Sequence, residues 1–121
     1  MYKHLSLNSL KNLEIIDPDL ITQMMNIFLS EFPEQIKNIQ RLVDEKNGPE
    51  FGRRIHALKG SVSVFGCADL CTVMKKIELL AKDSKIDESL LIYKEHRSKI
   101  DEFVSEIHQF LAAEKFKSNA A

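Results

Sequence analysis

The chain has 121 residues, 44% of them hydrophobic, and a formal net charge of −1, with its lysines spread among acidic residues. That length fits one domain around a single helical core, and the mixed charge disfavours nucleic acid or an anionic membrane as a partner, leaving a protein or a small ligand. No run approaches the ~20 apolar residues of a membrane span, and the opening MYKHLSLNSL lacks the apolar centre of a signal peptide, so a cytoplasmic location is expected.

With only four Gly and three Pro, and no sustained alternation of apolar and polar residues, the sequence predicts an all-α protein. A short helix is expected from about Asn8 to Ile15, capped by Asn8 or Ser9 and lying as a lid on the rest. Asp17 followed by Pro18 signals the start of the next helix, since the Asp side chain can accept from free N–H groups and Pro fits the first helical position. Its apolar positions are Leu20, Ile21, Met24, Ile27 and Phe28, resuming at Ile36, Ile39, Leu42 and Val43, with Pro33 expected to kink or restart it. Asn47, Gly48 and Pro49 end that element and open another, whose stripe of Phe51, Ile55, Leu58, Val62 and Phe65 falls within ~80° on a helical wheel. Gly66 then stops the helix by taking a left-handed conformation.

A further helix is predicted from about Ala68 to Ala81, with Leu70, Val73, Met74, Ile77, Leu80 and Ala81 inward. After a turn at Asp83, Ser84 and Asp87, a long last helix carries Ile86, Leu90, Tyr93, Ile100, Val104, Ile107 and Leu111 in a coiled-coil-like stripe. Four main elements with short connections predict an antiparallel four-helix bundle over about residues 18–114, preceded by the short helix and followed by a frayed tail over 115–121, all one domain. Cys67 and Cys71 stand four apart without the further Cys or His of a zinc site, so free thiols and no metal are expected.

Opposite the buried stripe of the third predicted helix, ~140° from its middle, lies His56. Gly52, Lys59, Gly60 and Ser63 fall within ~60° of it, the first three one turn before or after and Ser63 two turns after. Two glycines in an exposed helix each cost about 1 kcal/mol relative to Ala, so their presence suggests a face kept bare for another protein. Lys59 offers a positive charge to phosphoryl oxygens. Counting ~1.5 Å per residue away from Gly66 puts His56 at ~15 Å and Glu78 at ~18 Å along antiparallel axes, nearly level. A carboxylate there would accept from one ring nitrogen, fix the tautomer and leave the other nitrogen as nucleophile.

The run HALKGSVSVFG, His56 to Gly66, resembles the His-x-x-Lys-Gly signature of histidine phosphotransfer domains. Phe28, Leu29, Phe32 and Pro33 upstream and Leu70 to Glu78 downstream extend the likeness over roughly Pro18 to Leu111. The resemblance implies a four-helix bundle whose exposed histidine takes a phosphoryl group from a receiver-domain aspartate and passes it to another receiver. On that pattern His56 is the phosphoacceptor, Lys59 its electrostatic neighbour, and Gly60 a close-approach position. Glu78 stands where the family often has Gln or Glu, and Gly52, Arg53, Gly60 and Ser63 form a partner-binding face. Ile55, where many members have Ala, points to the core. The partners implied are receiver domains of a hybrid sensor kinase or a response regulator. No cofactor is implied for this chain, magnesium being supplied by the receiver. There is no Gly-rich phosphate loop, so autokinase activity is not expected, and a monomer is the expected state. Two rivals are a bundle that binds a receiver without carrying phosphate and a metal-binding bundle, the latter disfavoured because Glu-x-x-His pairs are absent.

Overall fold

A computed structural model describes residues 2–17 and 19–120, the last five of these by backbone alone. Five helices follow in order: α1 (Leu7–Ile16), α2 (Leu20–Glu45), α3 (Gly48–Ser63), α4 (Ala68–Lys82) and α5 (Ile86–Ala120). Helices α2 to α5 close into a ring in which each packs on the next and α5 returns to α2, while α1 lies on α2. Short turns make consecutive helices antiparallel, and the all-α four-helix bundle with an additional N-terminal helix is the fold that forms.

The caps explain where the elements begin. The N-cap of α1 is Ser6, not Asn8 or Ser9: its extended backbone (φ −95°, ψ 113°) lets the side chain accept from the N–H of Ser9, so the helix starts a residue earlier than expected. Before α2, the Asp17 carboxylate accepts from the N–H of Asp19 at 3.0 Å, while Pro18, the expected first helical residue, lies outside the described residues. Asn47 caps α3 by accepting from the N–H of Glu50, with Pro49 in the first turn. That helix ends at Ser63, ahead of Gly66, which takes the expected left-handed conformation at φ 75° inside the turn to α4.

Two expectations for the long helices need correction. Pro33 does not restart α2, which runs unbroken from Leu20 to Glu45. The core anchors it on both sides through Phe28, Phe32 and Ile39, so the one hydrogen bond that Pro cannot donate does not end it. The buried stripe of α2 is Ile21, Met25, Phe28, Phe32, Ile39, Leu42 and Val43, whereas Ile27 is 56% exposed. Its apolar face is wider than the ring of helices can cover, and periodicity alone does not say which of two adjoining rows is buried. In α5 Leu90, Tyr93, Ile100 and Ile107 are buried as expected, Val104 and Leu111 are only partly buried, and Phe103 and Phe110, not expected, join the core beside them. The backbone of α5 stays helical to Ala120, through residues expected to fray.

At the end of the bundle that holds the α3–α4 turn, Phe28, Phe65 and Phe103 pack with ring centroids 5.3–6.2 Å apart. Such aromatic pairs add about 0.5–1.5 kcal/mol each beyond burial. The N-terminal segment is clasped there by Glu106, only 7% exposed, whose carboxylate accepts from the N–H groups of Lys3, His4 and Leu5 at 2.9–3.1 Å. The Ser6 N–H donates to the Phe65 carbonyl at 3.1 Å, so α1 is tied to the turn that follows α3.

Candidate functional site

Helix α3 buries Phe51, Ile55, Leu58 and Val62 completely, which turns His56 outward from the middle of the helix with 66% of its side chain exposed. The antiparallel return of α4 sets Glu78 beside it, as the rise along the two helices predicts. One carboxylate oxygen of Glu78 lies 2.7 Å from His56 Nδ1, and the other accepts from Lys59 Nζ at 2.8 Å. Glu78 therefore bridges the histidine and the lysine one turn further on.

The electrostatics follow from that bridge. Desolvation acts to raise the Glu78 carboxyl, but hydrogen bonds from Lys59 and His56, with their charges, outweigh it and hold its pKa below the ordinary carboxylate value. An ionised Glu78 can only accept, so Nδ1 carries the proton, and in the neutral ring Nε2 is then the nitrogen with the free lone pair. Lys59, read from the sequence as a cation waiting for phosphate, is already paired, and only 22% of its side chain is exposed. The same pairing neutralises Glu78, so its carboxylate faces the far ring nitrogen instead of opposing an anion at Nε2.

The two glycines play different parts. A Cβ on Gly60 would meet nothing within 4 Å, so this exposed residue leaves open space beside the imidazole. Gly52, expected to do the same, is buried: a Cβ there would stand 3.3 Å from Ala81 Cβ and 3.8 Å from the Glu78 carbonyl. Its missing side chain lets α4 come close to α3, which is how Glu78 reaches His56. Ser63 is exposed and donates to the Gly60 carbonyl of its own helix at 2.8 Å. Arg53, also exposed, pairs with Glu50 on its own helix and lines a groove of about 690 Å³ together with His56 and Glu78. Lys46 and Lys82, which the sequence did not single out, and Ser84 and Ile86, which it gave only a turn and a core role, complete that groove from the ends of α2 and α4 and the start of α5. Only the spatial meeting of two chain turns, α2–α3 and α4–α5, brings them to His56, and no local spacing encodes it.

Elsewhere the histidines have ordinary surroundings: His4 pairs with Glu102 at 3.0 Å, His96 bonds the Ile92 carbonyl within its helix, and His108 is exposed. Cys67 is buried and Cys71 half-buried, both as free thiols. Burial, then the neighbouring Cys71 and Glu106, pushes Cys67 up to about 12, and burial also raises Cys71. Neither is a ready thiolate. Among the described residues, no group of three or more His, Cys, Asp or Glu is gathered as a metal site. No helix among them is long and apolar enough to cross a membrane.

Fold and site together define a four-helix bundle that presents one imidazole from mid-helix, its inner nitrogen held by a carboxylate. The family model of the Hpt domain matches residues 23–113, and the chain belongs to that family. Hpt domains carry phosphoryl groups on histidine in phosphorelays and interact with receiver domains. No curated protein and no solved structure matches the chain.

Proposed function

We propose that His56 accepts a phosphoryl group at Nε2 from the aspartyl phosphate of one receiver domain and delivers it to the aspartate of another, a response regulator. The observation that carries this is the exposed ring of His56 with Nδ1 held 2.7 Å from Glu78. The Nε2 lone pair attacks phosphorus, the Nε2–P bond forms as the P–O bond to the aspartate breaks, and the aspartate leaves as a carboxylate. The Nδ1 proton stays on the ring, and Glu78 faces the positive charge that the phosphorylated ring gains. Delivery runs the same step backwards.

In this account Glu78 is a positioning residue and Lys59 holds it through the 2.8 Å hydrogen bond from Nζ. Gly60, Ser63 and Arg53 belong to the surface met by the receiver, and Gly52 acts through the spacing of α3 and α4. The chain works as a carrier, without a kinase site of its own, as a single domain over residues 1–121. Magnesium is supplied by the receiver, whose acidic residues hold it beside the aspartate. A monomer in the cytoplasm suits a site that must stay open to successive partners.

Incubation with phosphorylated receiver domains tests the proposal. Label on this chain that is lost in acid, stable in base and absent from His56→Gln is the expected result. No label from any receiver of the source organism, or undiminished label in His56→Gln, sinks the mechanism.

A further inference from the structure

Among the described residues only Ser89 and Glu106 are polar and buried. Glu106 is accounted for by its clasp on the N-terminal segment. Ser89 has no exposure at all and sits among the apolar residues of α5, where Ala would bury no polar group and is the better helix former. Its hydroxyl does not bond in the usual way for a helix. Ser30, Ser61, Ser63 and Thr72 each donate to a carbonyl of their own helix three or four residues back. Ser89 Oγ donates instead to the Ile77 carbonyl of α4, at 2.7 Å. In a regular helix that carbonyl already accepts from the N–H of Ala81, so the bond takes its second lone pair and is not needed to satisfy a buried group. What it adds is a tie between two helices.

The tie falls beside Glu78. Ile77 is the residue before it, and Ala81, one turn on, is the residue whose Cβ closes on Gly52 across the α3–α4 seam. The same turn of α4 is therefore held on two sides, against α3 by the close approach at Gly52 and against α5 by Ser89. The link to α5 is also short and bonded throughout. Residues 83–85 alone separate the helices, and the Lys85 N–H donates to the Leu80 carbonyl at 2.9 Å and the Ser84 N–H to the Ala81 carbonyl at 3.3 Å. With Ser84 left-handed at φ 61°, this is the Schellman closure of a helix end. The Ser89 N–H then donates to the Lys85 carbonyl at 3.0 Å. Together these bonds limit how far α4 can slide or turn against α5. That limit matters at His56, because Nδ1 lies 2.7 Å from Glu78, and a displacement of about 1 Å, less than the ~1.5 Å rise of one residue, takes it out of hydrogen-bond reach.

We infer that Ser89 is a positioning residue for the phosphotransfer site: by bonding the Ile77 carbonyl it sets the register of α4 at which the Glu78 carboxylate meets His56 Nδ1. Its importance for transfer rests on the phosphoacceptor role of His56, whereas its effect on the ring does not. Being wholly buried, Ser89 acts through α4 and Glu78 and not on a phosphoryl group.

Nitrogen-15 chemical shifts of the neutral His56 imidazole, measured without phosphate, report which ring nitrogen carries the proton. In Ser89→Ala the ratio of the Nδ1–H to the Nε2–H form is expected to fall by about twofold or more, with Ser89→Cys, which keeps a weak donor, in between. Ile21→Val, a core truncation near the start of α2, lowers stability and leaves the ratio unchanged. In a Glu78→Ala background Ser89→Ala has no further effect, since the carboxylate through which it acts is gone. An unchanged ratio in Ser89→Ala, an equal change in Ile21→Val, or a further change in the Glu78→Ala background overturns the inference. Failure of the phosphoacceptor role is read separately: phosphoramidate, a small donor that needs no partner domain, then leaves His56 of the unsubstituted chain unlabelled.

Discussion

Glu78 is the residue on which the chemistry turns, because it orients His56 and ties down Lys59 at once. Glu78→Gln keeps a carbonyl oxygen able to accept from Nδ1–H, whereas Glu78→Ala removes the acceptor. We expect Glu78→Ala to slow transfer by about tenfold or more and Glu78→Gln to retain most of the rate, measured by single-turnover transfer from a phosphorylated receiver. The pKa of Glu78 is held below its ordinary value, so the bridge stabilises the fold fully above about 4.5 and loses that contribution as pH falls through the lower folded-state value. Denaturant unfolding of the unsubstituted chain and Glu78→Gln between about pH 3 and pH 7 should show a stability gap at the upper end that closes in acid. A gap independent of pH contradicts it. The positions of His56, Lys59 and Glu78 were legible in the sequence because all three follow from helical rise and the return at Gly66. The pairing of Lys59 with Glu78 was not, since spacing fixes level and facing but not which of two anions a lysine takes.

The helices owe their boundaries and their spacing to a few small residues, and the glycines separate cleanly. Gly66→Ala would place a Cβ 2.5 Å from Ser9 Oγ and 2.6 Å from Ser6 Cβ, in a left-handed backbone. A loss of about 1–3 kcal/mol is expected by denaturant unfolding. Gly60→Ala meets nothing and should instead stabilise the protein by roughly 0.5–1 kcal/mol, since Ala is the better helix former. If both substitutions shift stability alike, the assignment of Gly66 to the contact with α1 is wrong. Periodicity showed that Gly66 ends a helix, but its contact with Ser6 and Ser9 joins residues more than fifty positions apart, and nothing local records it. Gly52 was misjudged for the same reason: on a single-helix wheel it shares the face of His56, and only the approach of α4 shows that the face is divided between solvent and a neighbour. In α2 and α5 the wheel found most of the buried stripe but missed at its edges, taking Ile27 and Val104 where Met25 and Phe103 are the more deeply buried, because adjoining rows are both apolar and the ring of helices chooses between them.

At the scale of the molecule, the fold does two things: it closes a core so that one helix can spend its outer face on a reactive ring, and it fastens its own N-terminus away from that face. The clasp by Glu106 draws Lys3, His4 and Leu5 onto α5, about a hundred residues along the chain. Glu106→Ala is expected to speed amide exchange at those three residues without altering exchange around His56, as nuclear magnetic resonance would show. Exchange rising equally throughout the bundle contradicts a local clasp. A buried glutamate in an apolar stripe is visible in the sequence, but its partners are backbone groups that no side-chain pattern announces.

The central claim is that the bundle holds Nδ1 of His56 so that Nε2 receives the phosphoryl group, and the attachment atom can be observed. Heteronuclear magnetic resonance of the nitrogen-labelled, phosphorylated protein would show phosphorus coupled to His56 Nε2, with the proton retained on Nδ1 beside Glu78. Phosphorus on Nδ1, or on any residue other than His56, contradicts the account.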